Sequence, residues 1–281
     1  MSRAAVIAVA CLSILACGSP EPPERRQIIL VSLIPSVTET IYALGAGDRL
    51  VGNTTSCDWP EAARRVRKVG SFYQPDVEHI VGLRPDVVFL ALPVHAPVVE
   101  KLAELGISYH VSDPHSLDAL LDDISAIGRA IGRDQSAEAL VRNLRARLAT
   151  LPSWLDTPGV FVELSNSPLV TAGRGTFLSD AVRLAGGRNV FDDIDRSYPV
   201  VSSEDVIRRN PGAILLAHPA ATPAEVRSRL GWAGLAAVRS GQLIADIDEN
   251  LLVRPGPRSV EGIELLGRRL HERVVRAVGV E

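Results

Sequence analysis

Short apolar runs alternate along the chain with longer stretches in which apolar residues recur every three to four positions. The runs are typical of buried strands, and the stretches are typical of amphipathic helices. The strand-like runs are residues 28–33, 87–92, 107–111, 159–164 and 213–217. Because strands that alternate with helices favour a mostly parallel sheet covered on both faces, the pattern predicts an α/β fold.

One part of this pattern occurs twice. Residues 70–93 and 198–219 align without a gap when Glu78 is placed over Glu204, and the prolines and buried runs that follow also coincide. Each copy reads as a turn, a short helix with an acidic first turn, a proline, a buried strand and a loop. The duplication predicts two similar Rossmann-like lobes. A ligand cleft between the lobes is expected, since ligand sites favour domain interfaces.

Residues 116–151 separate the two copies and carry two helical stripes without a proline. Residues 132–134, Gly-Arg-Asp, stand between the stripes as a candidate bend. The pattern is compatible with one helix of about 30 residues, roughly 45 Å long, or with a pair of helices. We expect a long linking helix that acts as a stiff strut between an N-terminal lobe, residues 28–115, and a C-terminal lobe, residues 152–281.

The start of the chain does not read as part of this fold. Residues 1–16 contain one charged side chain, Arg3, and an apolar run that is short for a bilayer span. The sequence Ile-Leu-Ala-Cys-Gly around Cys17 resembles a bacterial lipobox, and the proline-rich residues after it are typical of a tether. We expect a signal peptide at 1–16, a lipid anchor on Cys17 and a linker at 17–27. The protein would then lie in the periplasm or on the outer face of the cell membrane; the alternative is an ordinary signal peptide that leaves a soluble protein.

Composition excludes several classes of function. The net charge of -3 argues against a nucleic-acid surface. Cys57 is the single cysteine in the part of the chain expected to fold, so no internal disulfide framework is expected. The chain has neither a Walker loop nor a Gly-x-Ser-x-Gly motif, so we do not expect an enzyme. Asp246 and Asp248 form an alternative acid–base pair, but the simpler interpretation is that they end a strand.

The six histidines show no metal-binding spacing, and no metal site is predicted. His95 and His218 follow the two repeated strands. They either reach the cleft or are solvated loop residues, and the second interpretation is favoured. Cys57 has two similar interpretations, of which a buried inert thiol is favoured.

Residues that favour helix N-termini occur at the starts of three predicted helices. Ser36 and Glu39 fit a capping box at the start of the first helix. Asp76 and Ser202 are the expected N-caps of the two repeated helices.

Four segments, taken together and in this order, resemble a known family. They are residues 33–39 (LIPSVTE), 57–60 (CDWP), 70–85 and 254–258 (RPGPR). Over residues 28–270 the chain is similar to the ABC-importer binding proteins of bacteria whose two lobes are joined by one long helix. These proteins carry cobalamin, haem or iron-siderophore complexes, and the similarity is greatest to the cobalamin-binding branch.

The resemblance assigns roles to particular residues. In the cobalamin branch one glutamate from each lobe docks onto arginines of the transporter, and Glu78 and Glu204 match these positions. Both also stand in the first turn of a predicted helix, where a carboxylate is favoured. The alternative is that each carboxylate merely stabilises the start of its helix.

The same resemblance implies that aromatic residues from both lobes contact the ligand. Phe72 and Tyr198 match two such positions, and Arg254 matches a basic contact from the last loop. Other aromatic positions of the family carry Ser56, Ala91 and Val170 here, which is a thinner cage. The predicted ligand-binding set is Pro35, Ser56, Phe72, Tyr73, His95, Tyr198, Asp248 and Arg254.

These assignments imply a receptor with no cofactor of its own. The expected ligand is a cobalt corrinoid, and a ferric siderophore or haem is the alternative. The expected partners are an ABC importer permease and the membrane, through the lipid anchor, and the expected state is a monomer. An alternative of another class is an exported α/β hydrolase.

Overall fold

The computed structural model describes residues 27–154 and 156–278. The expected signal peptide, the anchor residue Cys17 and nearly all of the expected linker therefore lie outside the described residues. Within these residues, the chain has no helix that combines the length and apolar character needed to cross a membrane. The described chain forms an α/β fold built on two four-stranded sheets and one two-stranded hairpin.

The first sheet is entirely parallel and has the strand order β2-β1-β3-β4. Its strands are β1 (Leu30–Ser32), β2 (Leu50–Asn53), β3 (Val87–Leu90) and β4 (Ser108–Val111). The helices of this lobe are α1 (Pro35–Ala43), α2 (Glu61–Arg64), α3 (Val77–Gly82) and α4 (Ala96–Glu104), with a 3-10 turn at Gly47–Arg49. Strands β1 and β3 lie at the centre of the sheet, and their apolar side chains are largely buried.

Two helices follow, α5 (Leu117–Ala130) and α6 (Asp134–Ala149), and they pack against each other. Of the two alternatives for the linking segment, the structure has the helix pair, and the expectation of one long helix is wrong. The reason is Gly132, whose φ of 66° lies in the left-handed region through which an α-helix does not continue. The chain then folds back, so that Gly128 of α5 lies beside Ala137 of α6.

The second sheet repeats the design of the first. The remaining strands are β5 (Gly159–Glu163), the hairpin β6 (Ser165–Asn166) and β7 (Leu169–Val170), β8 (Arg188–Asn189), β9 (Ala213–Leu216) and β10 (Leu243–Ile244). The remaining helices are α7 (Phe177–Leu184), α8 (Ser203–Arg209), α9 (Pro223–Ser228), α10 (Ala236–Ser240), α11 (Asn250–Val253) and α12 (Ser259–Val278), with a 3-10 turn at Trp232–Gly234. The parallel sheet has the order β8-β5-β9-β10.

The two parallel sheets therefore have the same strand order, with β5, β8, β9 and β10 in the places of β1, β2, β3 and β4. Helices α3 and α8 both precede the third strand of their sheet. This equivalence confirms the two similar lobes predicted from the repeat.

The largest buried apolar cluster runs through both lobes and the helix pair. It includes Val37 of α1, Ile124 of α5, Leu144 of α6 and Ile263 of α12. Polar contacts join the same elements: the guanidinium of Arg147 on α6 donates to both carboxylate oxygens of Glu264 on α12, at 3.0 and 2.8 Å. One buried core therefore continues from lobe to lobe through the helix pair.

Local helix signals were predicted with mixed success. Asp76 accepts from the N–H of His79, and Ser202 forms a capping box with Asp205, which confirms both N-caps. The capping box expected at Ser36 is wrong, because Ile34 occupies the N-cap position and Pro35 begins α1. Glu39 instead accepts two hydrogen bonds from the second lobe, which are described below.

Candidate functional site

A cleft of about 370 Å³ lies between the lobes. The first lobe supplies the loops that follow the carboxyl ends of its four strands, where ligands commonly bind in open α/β sheets. The second lobe supplies the start of α7, one aromatic loop and the segment around α11. The lining residues are 34–36, Ser56, Phe72, Tyr73, Ala91 and 112–115 from the first lobe, and Phe177, Leu178, Tyr198 and 252–255 from the second.

Most of the predicted ligand-binding residues lie together in this lining. Six of the eight border the cleft: Pro35, Ser56, Phe72, Tyr73, Tyr198 and Arg254. His95 and Asp248 do not. The prediction missed residues 112–115 and the start of α7. The first group follows directly from the end of β4, so the position of a strand's carboxyl end was the signal that could have found it.

Phe72 and Tyr73 stand at the tip of a tight loop, residues 70–75. The loop is closed by a bridge between Gly70 and Pro75 and by a 3.1 Å hydrogen bond from the N–H of Ser71 to the carbonyl of Gln74. Gly70 has a φ of 96°, which glycine adopts without strain. The two aromatic rings meet edge to face with their centroids 5.0 Å apart. Tyr73 is 78% exposed, so its ring is available to a ligand or a partner.

The side chain of His95 hydrogen-bonds to the main chain of this loop. Both interpretations offered by the sequence, a cleft residue and a solvated one, are wrong, because its side chain is fully buried. Its Nδ1 accepts from the N–H of Ala91 at 3.0 Å, so Nε2 carries the proton and donates to the carbonyl of Phe72 at 2.7 Å. Burial lowers the pKa of His95, although the bond to the Phe72 carbonyl acts in the opposite direction. The imidazole is therefore a neutral positioning group for Phe72.

Tyr198 supplies the aromatic surface on the other side of the cleft. Its loop is held by the main chain: the N–H of Gly173 donates to the carbonyl of Ser197 at 2.9 Å, and the N–H of Thr171 donates to that of Pro199 at 3.1 Å. Partial burial raises the pKa of the Tyr198 hydroxyl, and the negative charge of Asp113 across the cleft raises it further. Tyr198 thus faces a ligand as a neutral phenol.

Arg254 borders the cleft at a junction of charges between the lobes. Its Nη1 donates to the carboxylate of Asp58 at 2.5 Å and lies 3.9 Å from the carboxylate of Glu39. Burial raises the pKa of Asp58, but the hydrogen bond and charge of Arg254 outweigh this effect, so the pKa of Asp58 lies below its usual value.

Glu39 and Arg258 form the inner part of the same junction. The guanidinium of Arg258 donates to both oxygens of the buried Glu39 carboxylate at 2.8 Å, and it lies 4.5 Å above the ring centroid of Trp59. These contacts join the first lobe to the second at one side of the cleft. Asp248 lies outside the lining, where its carboxylate is 3.9 Å from Arg258 and accepts from the N–H of Asn250.

The remaining candidates have structural surroundings. Cys57 is 1% exposed, in line with the favoured interpretation of a buried thiol. His218 is not a solvated loop residue; its Nε2 lies 3.0 Å from the buried carboxylate of Glu163, which also accepts from Arg229. Within the described part of the chain, no three His, Cys, Asp or Glu side chains are grouped as metal ligands would be.

Comparison with known proteins agrees with this arrangement. A family model described as periplasmic binding protein matches residues 30–249. The chain belongs to the periplasmic binding protein family. The resemblance stated from the sequence is thereby confirmed, and the expectation of a ligand cleft between two lobes has a family basis.

Individual relatives of this periplasmic binding protein differ in what they are named for. It is 31% identical over 253 residues to YvrC of Bacillus subtilis, an uncharacterized ABC transporter substrate-binding lipoprotein, with 86% of this chain and 79% of the relative covered. It is 32% identical over 252 residues to a vitamin B12-binding protein of Vibrio cholerae, with 88% and 89% covered. Among solved structures it is similar to the heme-binding protein RhuT of Roseiflexus sp. RS-1, with a TM-score of 0.78, 25% identity, and 88% and 98% covered.

Two glutamates of this periplasmic binding protein occupy equivalent surface positions. Glu78 lies in the first turn of α3, and Glu204 lies in the first turn of α8. Both side chains are exposed. Each glutamate follows a cleft aromatic at the same spacing, Phe72 in the first lobe and Tyr198 in the second. In each lobe, therefore, an aromatic residue of the cleft is followed by a helix whose first turn carries an exposed glutamate.

Proposed function

We propose that this protein is an exported substrate-binding lipoprotein that captures a corrinoid and delivers it to an ABC importer. The observation that carries the ligand assignment is a cleft lined by aromatic rings from both lobes, in which the one arginine of the lining is already paired with a carboxylate. Two properties of a ligand follow from this observation.

The first property is a large apolar face. Phe72 and Tyr73 contribute rings from the first lobe, and Phe177 and Tyr198 contribute rings from the second. Aromatic rings that approach from two sides suit a broad, flat macrocycle, because stacking and apolar contact grow with the area covered. Corrinoids and haem both have this shape.

The second property is a low demand for counter-ions. The charged side chains of the lining are Arg254 and Asp113, besides His115, and Arg254 bonds to Asp58. A ligand with two carboxylates, such as haem, gains little from an arginine whose charge is already compensated. A corrinoid whose rim carries neutral amides offers hydrogen-bond partners without that requirement. The cleft therefore favours the corrinoid, in agreement with the relative named for vitamin B12.

Calorimetric titration of the purified mature chain with cyanocobalamin and with haemin tests the ligand. We expect cyanocobalamin to bind with a Kd of about 1 μM or below, which corresponds to about -8 kcal/mol, and haemin to bind more weakly. Tight haemin binding without cyanocobalamin binding would replace the corrinoid by haem and keep the receptor role. Turnover of esters with no retained macrocycle would favour the exported hydrolase and contradict the proposal.

Docking through Glu78 and Glu204 is the second element of the proposal. Within the described part of the chain, no ion pair involves either carboxylate, and each lies at a helix N-terminus that favours a negative charge. Both are therefore available for charge-assisted bonds to arginines of a permease.

Charge reversal tests this docking role in uptake assays. We expect the double variant Glu78→Arg, Glu204→Arg to retain ligand affinity and to lose ligand uptake. Glu138→Arg is the matched control, because Glu138 is an exposed glutamate on the helix pair. Uptake that survives the double reversal would show that the permease binds elsewhere.

The lipid anchor is the third element, and it rests on the lipobox around Cys17. We expect Cys17→Ala to move the protein from the membrane fraction to the soluble fraction. Cys11→Ala, a cysteine in the same leader, is expected to leave the protein in the membrane fraction. Membrane retention by Cys17→Ala would assign the anchor to another feature.

A further inference from the structure

Asp58 forms an ion pair with Arg254, the arginine of the cleft lining, but does not itself line the cleft. Its Oδ1 accepts from Nη1 of Arg254 at 2.5 Å, whereas the side chain of Arg254 is 17% exposed and borders the cleft. The side chain of Asp58 is 44% exposed, so its carboxylate is not part of the buried core. The pair thus lies at the edge of the cleft, with its cationic member in the lining.

The second carboxylate at this junction has a different task. Glu39 is 5% exposed and gives both oxygens to Arg258, so its charge is already matched. Its distance of 3.9 Å from Arg254 adds a weaker attraction. Asp58 is therefore the main compensating charge of Arg254. The charge of Arg64 also acts on Asp58, from the side of the first lobe.

Compensation changes what Arg254 offers to a ligand. Both carboxylate contacts are made by Nη1, and among the described residues neither Nε nor Nη2 of Arg254 has a hydrogen-bond acceptor. A guanidinium next to a carboxylate still donates hydrogen bonds, but an anion that binds Arg254 is also repelled by the charge of Asp58, which is hydrogen-bonded to the same guanidinium. In the partly desolvated cleft such a charge–charge term is larger than in water.

We propose that Asp58 is a specificity residue, which keeps Arg254 available to neutral acceptors such as amide carbonyls and disfavours ligands that bring a carboxylate to this part of the cleft. The proposal rests on the proposed function, because it concerns which corrinoids the receptor accepts. It adds that the carboxylate of Asp58 is the group that disfavours anionic ligands.

The test compares two ligands that differ by one charge. They are cyanocobalamin and its monocarboxylic acid, in which one amide of the corrin rim is replaced by a carboxylate. Asp58→Asn keeps an oxygen that accepts from Arg254 and removes the charge. Glu61→Gln is the matched control, since Glu61 lies three positions further along and pairs with Arg65 at the surface, where both side chains are 82% exposed.

We expect the wild-type protein to prefer the neutral ligand and Asp58→Asn to reduce that preference about tenfold, mainly by binding the acid more tightly. The affinity for cyanocobalamin should change less than threefold, and Glu61→Gln should match the wild type. Equal changes for both ligands in Asp58→Asn would mean that Asp58 acts by positioning the lobes, and would overturn the inference while leaving the receptor role in place. If the wild-type protein binds neither corrinoid, the proposed function fails and this inference fails with it.

Discussion

The two loops that carry the cleft aromatics occupy the same place in their lobes, yet they are held in different ways. Phe72 and Tyr198 are as far apart along the sequence as Glu78 and Glu204 are, so they hold equivalent positions in the repeat. The loop of Phe72 is closed by main-chain contacts and is also held by one buried side chain, because Nε2 of His95 donates to the Phe72 carbonyl. The loop of Tyr198 depends on hydrogen bonds between main-chain groups, including that from Gly173 to Ser197.

The difference shows what the repeat specifies. It fixes the order of strands and the direction in which the chain leaves each sheet, so that an aromatic residue reaches the cleft from both lobes. It does not fix the contacts that hold each loop. The first loop should therefore be sensitive to loss of the His95 imidazole. The second should be sensitive to any group that separates its two closely packed backbone segments.

The largest effect is expected at the second loop, from Gly173→Ala. A methyl group on Gly173 would lie 2.0 Å from the carbonyl oxygen of Arg196 and 2.9 Å from that of Ile194. The two segments must separate to admit it, which should lower the free energy of unfolding by about 3 kcal/mol and displace Tyr198. Urea denaturation and ligand titration measure the two consequences.

Gly234→Ala provides the comparison for this variant. A methyl group there has no atom within 4 Å, so the stability should change by less than about 0.5 kcal/mol. If both alanine variants were equally stable, the loop would tolerate separation from its neighbour, and the contrast between the two lobes would be lost.

A smaller effect is expected at the first loop, from His95→Ala. The change leaves the N–H of Ala91 and the carbonyl of Phe72 without the imidazole, and we expect a loss of about 2 kcal/mol in the free energy of unfolding. Ligand affinity should fall in parallel, because Phe72 loses its support. His79→Ala, which removes an exposed histidine from the same lobe, should change neither quantity appreciably. Unchanged affinity in His95→Ala would mean that the loop holds Phe72 without the imidazole.

The architecture was largely predictable from the sequence, and the reason is local. Buried strands and helix caps such as Asp76 and Ser202 depend on patterns a few residues long. The helix pair was less predictable, because the apolar stripe continues across the glycine that reverses the chain. The conformation of Gly132 alone decides between the two alternatives.

The site was predictable only in part. The resemblance to a family placed Phe72, Tyr198 and Arg254 in the cleft, and the structure has them there. The partner of Glu39 was not predictable, since a plausible local cap competes with Arg258, which lies 219 residues away. The burial of His95 was not predictable either. Its partner is the main-chain carbonyl of Phe72 in another loop, and a main-chain partner leaves no pattern in the sequence.

The smallest expected effect is the pH dependence of stability and ligand affinity. It distinguishes a histidine of the first lobe from one of the second. Burial lowers the pKa of His95 in the first lobe and that of His271 in the second, each below the usual value of 6.5. The unfolded chain therefore binds more protons below about pH 6.5, so both groups stabilise the fold above this pH and lose that contribution as the pH falls toward their folded values. The slope for each group is at most about 1.4 kcal/mol per pH unit.

Only one of the two histidines holds a cleft residue, so stability and ligand affinity should respond differently. Urea denaturation at pH 7.5 and pH 5.5 should show that His95→Gln and His271→Gln each remove part of the pH dependence of stability. Ligand titration over the same range should show an affinity that declines on acidification in the wild type and in His271→Gln. In His95→Gln the affinity should be weaker but nearly independent of pH, since no imidazole is then left whose protonation at Nδ1 breaks the hydrogen bond from the N–H of Ala91, a residue of the cleft lining. An equal decline in all three proteins would place the pH sensitivity in the ligand or in the second lobe.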